Sequence, residues 1–330
     1  MPGPEVGSTP GTAEAAPRPS TFSLEGRAAP ALYLIGWLGS VMGLAVILVS
    51  FLASGSAAAA WVFLAGAVVL VLGLLAAGGS QAVERARRPD LAYRGPSPVL
   101  AFIAVIVLTL VAIIVVLAPL SALGLDAQSP IATTLSLVIT TLMYVAVIRL
   151  LVVGPGALAW GDMGLRASVP DAVRDLVIGG LLAIPVLIVT IGLGGLLARF
   201  VQPAPIQLPE SRDTLGLLAN LASAAIVSPI GEELFFRGFA TTAWARAVGA
   251  GPAIVRGAVF FSIAHIVTLN DVSFGEGASR ALFSFVALLP VALTLGWVFL
   301  LRRSLYAAIG LHAVFNGLQV LALFAAARAG

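Results

Sequence analysis

The stretch VLAFIAVIVLTLVAIIVVLAPL, Val99 to Leu120, runs for 22 residues without a charge, and Thr109 is its one polar side chain. About 20 mostly apolar residues in a helix cross the hydrocarbon core of a bilayer. A helix apolar all round must be buried in protein or in lipid. Similar runs lie on both sides of this one. Towards the N-terminus they cover residues 31–53 and 58–77, joined through Ser54-Gly55-Ser56. Towards the C-terminus they cover 131–153, 176–197, 252–269, 281–301 and 305–325. A further segment, 214–248, is helical in composition but interrupted by Pro229 and Gly231. The count is nine crossings, or eight if the broken segment or the shorter 252–269 run does not span. The expected fold is therefore all-α, a polytopic transmembrane helical bundle.

Composition supports this. Sixty per cent of the 330 residues are hydrophobic and 10% are charged, against about 25% charged in soluble domains. The chain has no cysteine, which excludes disulfide and thiolate chemistry. All 18 basic residues are arginine. They stand singly or in small groups between the apolar runs, which argues against a nucleic-acid partner and for membrane orientation. The loop with Arg85, Arg87, Arg88 and Arg94 reads as cytoplasmic, and so does Arg302-Arg303. The loop with Asp126 and no arginine reads as non-cytoplasmic. The chain is thus expected to be a multi-pass protein of the cell membrane in contact with lipid, its N-terminus cytoplasmic. Residues 1–30, rich in Pro, Ala, Gly, Ser and Thr, read as a disordered cytoplasmic tail rather than a cleavable signal. Residues 31–213 form a set of N-terminal transmembrane helices, and 214–326 form a core that carries the chemistry.

Three places put polar groups into apolar helices. In Gly231-Glu232-Glu233-Leu234-Phe235-Phe236-Arg237, Glu233 and Arg237 are four apart and share a helix face. Glu232 points about 100° away and is free for another use. Phe261 and His265 are one turn apart, as are His312 and Asn316. Each alone reads as well as a structural device, since a buried Glu–Arg pair or an interhelical histidine commonly only specifies packing. Together they favour a shared site in an intramembrane cavity, because the chain's two histidines both fall inside apolar segments. A carboxylate and an imidazole can hold a water and take its proton. A second imidazole and an amide can donate to a developing oxyanion. That is hydrolysis of a carbonyl compound by water. A metal-dependent version would use Glu232, His265 and His312 as zinc ligands, with Glu233 as base.

Glu-Glu-x-x-x-Arg, Phe-x-x-x-His and His-x-x-x-Asn in this order resemble the CPBP family of intramembrane proteases, which includes the type II CAAX prenyl endopeptidases and the bacterial Abi proteins. The resemblance covers about Leu217 to Phe324. It implies that Glu232 and His265 activate the water, that His312 and Asn316 form the oxyanion hole, and that Glu233, Arg237 and Phe261 are accessory. It also implies a glutamate-dependent endopeptidase acting on a membrane-associated peptide or protein, with no metal favoured and zinc as the alternative cofactor. A different class remains open: a non-catalytic immunity or scaffold protein, or a proton-coupled transporter using the same buried groups. No inverted repeat supports the transporter. Span counting places Glu232 near the cytoplasmic end of its segment, and His265 about 13 Å along its helix from Arg256. A bend or re-entry at Pro229-Ile230-Gly231 would bring them together, in a cavity expected to open towards the cytoplasm.

Overall fold

The computed structural model describes residues 23–52, 57–127, 129–165, 168–204, 208–266 and 274–329. Of the expected tail over 1–30, residues 1–22 lie outside the described residues, as does the turn at 54–56. The described chain folds into nine long or medium helices: α1 (Pro30–Leu52), α2 (Ala57–Ala86), α3 (Pro98–Ala122), α4 (Pro130–Val153), α5 (Val169–Leu197), α6 (Thr214–Val248), α7 (Ala250–Ile266), α8 (Phe274–Arg302) and α9 (Leu305–Ala329). Eight are long and apolar enough to cross a membrane, and α7, with 17 residues, is the short one. Of the two counts the sequence left open, eight is the one the helix lengths favour.

Several helices begin as their sequences dictate. Ser129 and Ser168 each precede a proline in the first turn, and their hydroxyls accept from the backbone N–H of Ala132 and Asp171. Asp213 caps α6 by accepting from Gly216 N–H at 2.8 Å. These side chains satisfy donors that a helix start leaves without partners. Between α6 and α7 the chain turns at Gly249 (φ 88°), a backbone conformation that suits glycine.

One end of the bundle carries the arginine-rich connections: the end of α2, the start of α3, the end of α4, the start of α5 and the α8–α9 turn. Arg27 pairs there with Glu84 at 3.0 Å, and Arg302 with Asp175 at 2.5 Å. We refer to this as the arginine end. α1 packs chiefly on α2 as a peripheral hairpin, while α3 packs on α2 and α4. α5 packs on α8 and α9. Its crossing with α9 is close because Gly179 and Gly310 are glycines, and a side chain at either would meet the facing backbone at Ala307 or Leu176. α6 runs through the middle against α4, α7 and α9.

The expected break in 214–248 is absent. α6 stays helical throughout, with wide i→i+5 turns over Ser223–Val227 and Leu234–Thr241 flanking an α-helical Ser228–Glu233. Such wide turns are how a helix absorbs a local insertion, and they cluster at functional sites. In the first of them Ser228 N–H reaches back to Ser223 O. The next carbonyl in that register, Ala224 O, faces Pro229, which has no N–H to give. Asn316 on α9 donates to it instead, Nδ2 to O at 3.0 Å. Thr141 on α4 likewise donates to Val227 O at 3.1 Å. The carbonyl the proline leaves open is thus met by a donor from a neighbouring helix, and no re-entrant backbone is needed to place Glu232 mid-way along α6.

Candidate active site

Glu232 and Glu233 lie mid-way along α6 and face different ways. Glu233 points into the protein and is fully buried, as is Arg237, whose Nη1 donates to Glu233 Oε1 at 2.9 Å. Arg237 also lies over the Phe261 ring, 4.2 Å from its centroid, and reaches Ala292 O at 3.4 Å. The expected pairing of Glu233 with Arg237 is therefore present. Glu233 does a second thing the sequence did not announce: its Oε1 also accepts from His312 Nδ1 at 2.7 Å. One carboxylate oxygen joins a guanidinium on its own helix to an imidazole on α9.

Glu232 turns towards a cavity. Ser228, one turn earlier, donates its hydroxyl to Glu232 Oε1 at 2.5 Å. Glu232 Oε2 has no hydrogen-bond partner among the described residues. Two imidazole nitrogens face it, His265 Nε2 at 3.7 Å and His312 Nε2 at 4.0 Å. These gaps exceed a hydrogen bond.

The opposite ring nitrogens fix what these two Nε2 atoms are. His265 Nδ1 sits 2.8 Å from Phe261 O. A carbonyl only accepts, so Nδ1 carries the proton. His312 Nδ1 faces a carboxylate and carries its proton for the same reason. In the neutral rings both Nε2 atoms are lone pairs, aimed at a carboxylate oxygen. Three acceptors converging on one small space call for a donor there, and a water supplies two hydrogens. Phe261 supports both rings, its centroid 4.3 Å from that of His265 and 5.9 Å from that of His312.

The cavity has a volume of about 1010 Å³. Glu232, His265, His312 and Asn316 all line it, so the four residues expected to act together do share one space. Asn316 differs from expectation in one respect: one of its N–H bonds is already given to Ala224 O. It keeps a second one. The direction of the cavity also departs from expectation. Its walls continue from the site to Thr133 near the start of α4, Gly194 and Gly195 near the end of α5, and Leu208 and Pro209 between α5 and α6. All of these lie towards the end opposite the arginine end. Span counting erred because it assumed an early break, whereas α6 carries 16 further residues between Glu232 and the arginine end.

Residues 214–318 match the family model of the type II CAAX prenyl endopeptidase Rce1-like proteins. The Rce1-like region begins at the cap of α6 and ends on α9, and it contains Glu232, Glu233, Arg237, Phe261, His265, His312 and Asn316. It covers about a third of the chain. No curated protein and no solved structure matches the chain. The chain thus holds a CAAX-protease-like region within a membrane-embedded helical bundle.

The donor types around Glu232 are ones that zinc takes. Ligand atoms on one tetrahedral zinc, bound at about 2.0–2.2 Å, lie roughly 3.3–3.5 Å apart. The Nε2 atoms stand 3.7 and 4.0 Å from Glu232 Oε2, and no group of three His, Asp or Glu among the described residues is arranged to hold a metal ion.

Sequence reasoning missed Ser228 and the Glu233–His312 contact. Ser228 was detectable, four residues before Glu232 and so on its face of the helix. The second contact was not, because 79 residues separate its partners.

Proposed function

We propose that this chain is an intramembrane endopeptidase that hydrolyses a peptide bond of a membrane-associated peptide or protein. What carries the reading is the convergence of Glu232 Oε2 with the Nε2 atoms of His265 and His312, both rings held by their Nδ1 atoms. A water in that space lies between a carboxylate and an imidazole. Glu232 and His265 take its proton as its oxygen attacks the scissile carbonyl. His312, held at Nδ1 by Glu233, turns its Nε2 towards the place where the oxyanion forms. Asn316 adds the N–H that Ala224 does not use. The proton first taken from water passes to the leaving amine, and the bond cleaved is the C–N bond of the peptide.

On this reading no metal takes part, 214–326 is the catalytic core, and 31–213 supports it. The second set also builds part of the cavity wall, since Thr109, Thr133 and Thr190 belong to α3, α4 and α5. The chain resides in the cell membrane, with its N-terminus in the cytoplasm. The test is Glu232→Gln, which keeps shape and removes the base. Cleavage should vanish while the purified variant stays folded. Peptide profiles of cells carrying the wild-type chain or E232Q should differ by the products of the reaction. Undiminished turnover by E232Q would sink the mechanism, and an unchanged cellular phenotype with no product would point to a non-catalytic role.

A further inference from the structure

The two ends of the cavity are unlike. Towards the arginine end the space below Glu232 is filled by packed rings. Phe236 meets Phe102 and Phe260 at 5.5 Å between centroids and Phe261 at 5.1 Å, and Phe235 meets Tyr144 at 5.1 Å. Phe235, Phe236 and Phe261 are at most 2% exposed. Towards the other end the walls stay apart. α3 packs with α2 and α4, α5 packs with α8 and α9, and the cavity lies between these two sets.

Charge fixes which end is which. The arginine end holds Arg85, Arg87, Arg88, Arg94, Arg302 and Arg303, while the opposite end has Arg199, Arg212, Arg280 and Arg328, with Asp126, Glu210 and Asp213 close by in the connections. Cytoplasmic loops collect arginine. The arginine end is therefore cytoplasmic, and the cavity opens on the other face.

The wall chemistry narrows the occupant. Apart from Glu232, the two imidazoles and the Tyr144 phenol, no ionisable side chain lines the cavity among the described residues. A charged side chain in the shaft would have no counter-charge, and a terminal carboxylate would find no arginine. The wall is mainly apolar, but hydroxyls interrupt it. Thr109 Oγ1 on α3 and Thr190 Oγ1 on α5 are buried without a hydrogen-bond partner among the described residues. An extended peptide within a membrane needs such partners, because its amides cannot bond to lipid.

We infer that the chain admits its substrate from the non-cytoplasmic side, as an internal, uncharged, apolar peptide segment in extended form. The substrate class rests on the hydrolytic reading above, whereas the direction of access does not. Because the chain lacks cysteine, single-cysteine variants report access without background. Leu208→Cys at the mouth, Thr140→Cys in the wall and Leu91→Cys at the arginine end are produced in intact cells and treated with a small membrane-impermeant maleimide. The first two should label in intact cells, and Leu91→Cys only after permeabilisation. Labelling of Thr140→Cys only after permeabilisation overturns the direction of access. The substrate class is read from peptides that disappear in E232Q cells. Cleavage sites should fall in uncharged stretches on the non-cytoplasmic side, and sites flanked by charged residues or located in cytoplasmic segments overturn it. Saturating modification of Leu208→Cys should lower product formation at least tenfold relative to the same variant unmodified, and unchanged formation overturns the route. If labelling follows the expected pattern and wild-type cells yield no product, the hydrolytic reading and the substrate class fall, while the direction of access stands.

Discussion

Glu233 and His312 meet at 2.7 Å, Oε1 to Nδ1, although they lie on different helices and 79 residues apart. The same oxygen receives Arg237 at 2.9 Å. A fully buried carboxylate thus compensates a fully buried guanidinium and orients an imidazole at once. Glu233→Gln keeps an acceptor for His312 but strips Arg237 of its counter-charge. Removing one partner of a buried ion pair costs about 3–5 kcal/mol, so E233Q should unfold at markedly lower temperature in detergent. Replacing both, as E233Q with R237M, should recover much of that stability. Activity should stay roughly 10–100-fold down in either variant, the usual loss when the outer partner of a working histidine is changed. If R237M lowers the melting temperature of E233Q further, Arg237 has another main partner.

Ser228→Ala removes the donor to Glu232 Oε1 and nothing larger. Turnover should fall by about tenfold, in line with the loss of one supporting hydrogen bond, while stability changes by about 1 kcal/mol. Ser228→Thr, which keeps the hydroxyl, should restore most of the rate. Steady-state kinetics on the two variants distinguish a positioning role, seen in kcat, from a packing role, which Thr would not rescue.

Asn316 and Pro229 should be coupled in stability. Asn316→Leu leaves Ala224 O without a donor in a buried place, a loss of about 1–3 kcal/mol. In a Pro229→Ala background the restored backbone N–H can reach that carbonyl, and the same substitution should cost less. A double-mutant cycle on thermal unfolding reads the difference, and strict additivity would mean that the proline does not create the need for the amide.

Gly231 is where α4 comes closest to the reactive turn of α6. A Cβ there would stand 2.9 Å from Thr141 Oγ1 and 3.0 Å from Thr141 Cα. Gly231→Val should destabilise by about 1–3 kcal/mol through overpacking and displace Glu232, so activity should fall more than stability explains. Thr141→Ala should relieve part of the clash at the oxygen but not at the backbone, and the melting temperature should recover only in part.

The sequence made the membrane bundle legible because apolar runs of spanning length need no tertiary context. It also grouped Glu232, Glu233, Arg237, His265, His312 and Asn316 correctly in one region of space. Helix ends were less legible: α2 continues to Ala86 and α5 begins at Val169, well outside their apolar runs, because polar turns extend a helix past the lipid without any change in period. The wide turns of α6 were illegible for a different reason. The first of them, Ser223–Val227, takes hydrogen bonds from Asn316 and Thr141, donors on other helices that no local pattern records. Reading Pro229 by its local effect alone produced a bend, a re-entrant path and a cavity facing the wrong end.

The aromatic layer beneath Glu232 has an electrical consequence. On the proposed outward-facing reading, water in the cavity would bring the outside solution to Glu232, and the insulating thickness there would reduce to the rings of Phe102, Phe235, Phe236 and Phe261. The transmembrane voltage then drops across those rings, where each 100 mV is worth about 2.3 kcal/mol per charge. Glu232 would then sit on the conducting side of this layer, shielded from the voltage, whereas Arg237, lying against Phe261, would be immersed in it. An energised membrane therefore pulls on the support of the site and leaves its reacting carboxylate at the potential of the solution it faces.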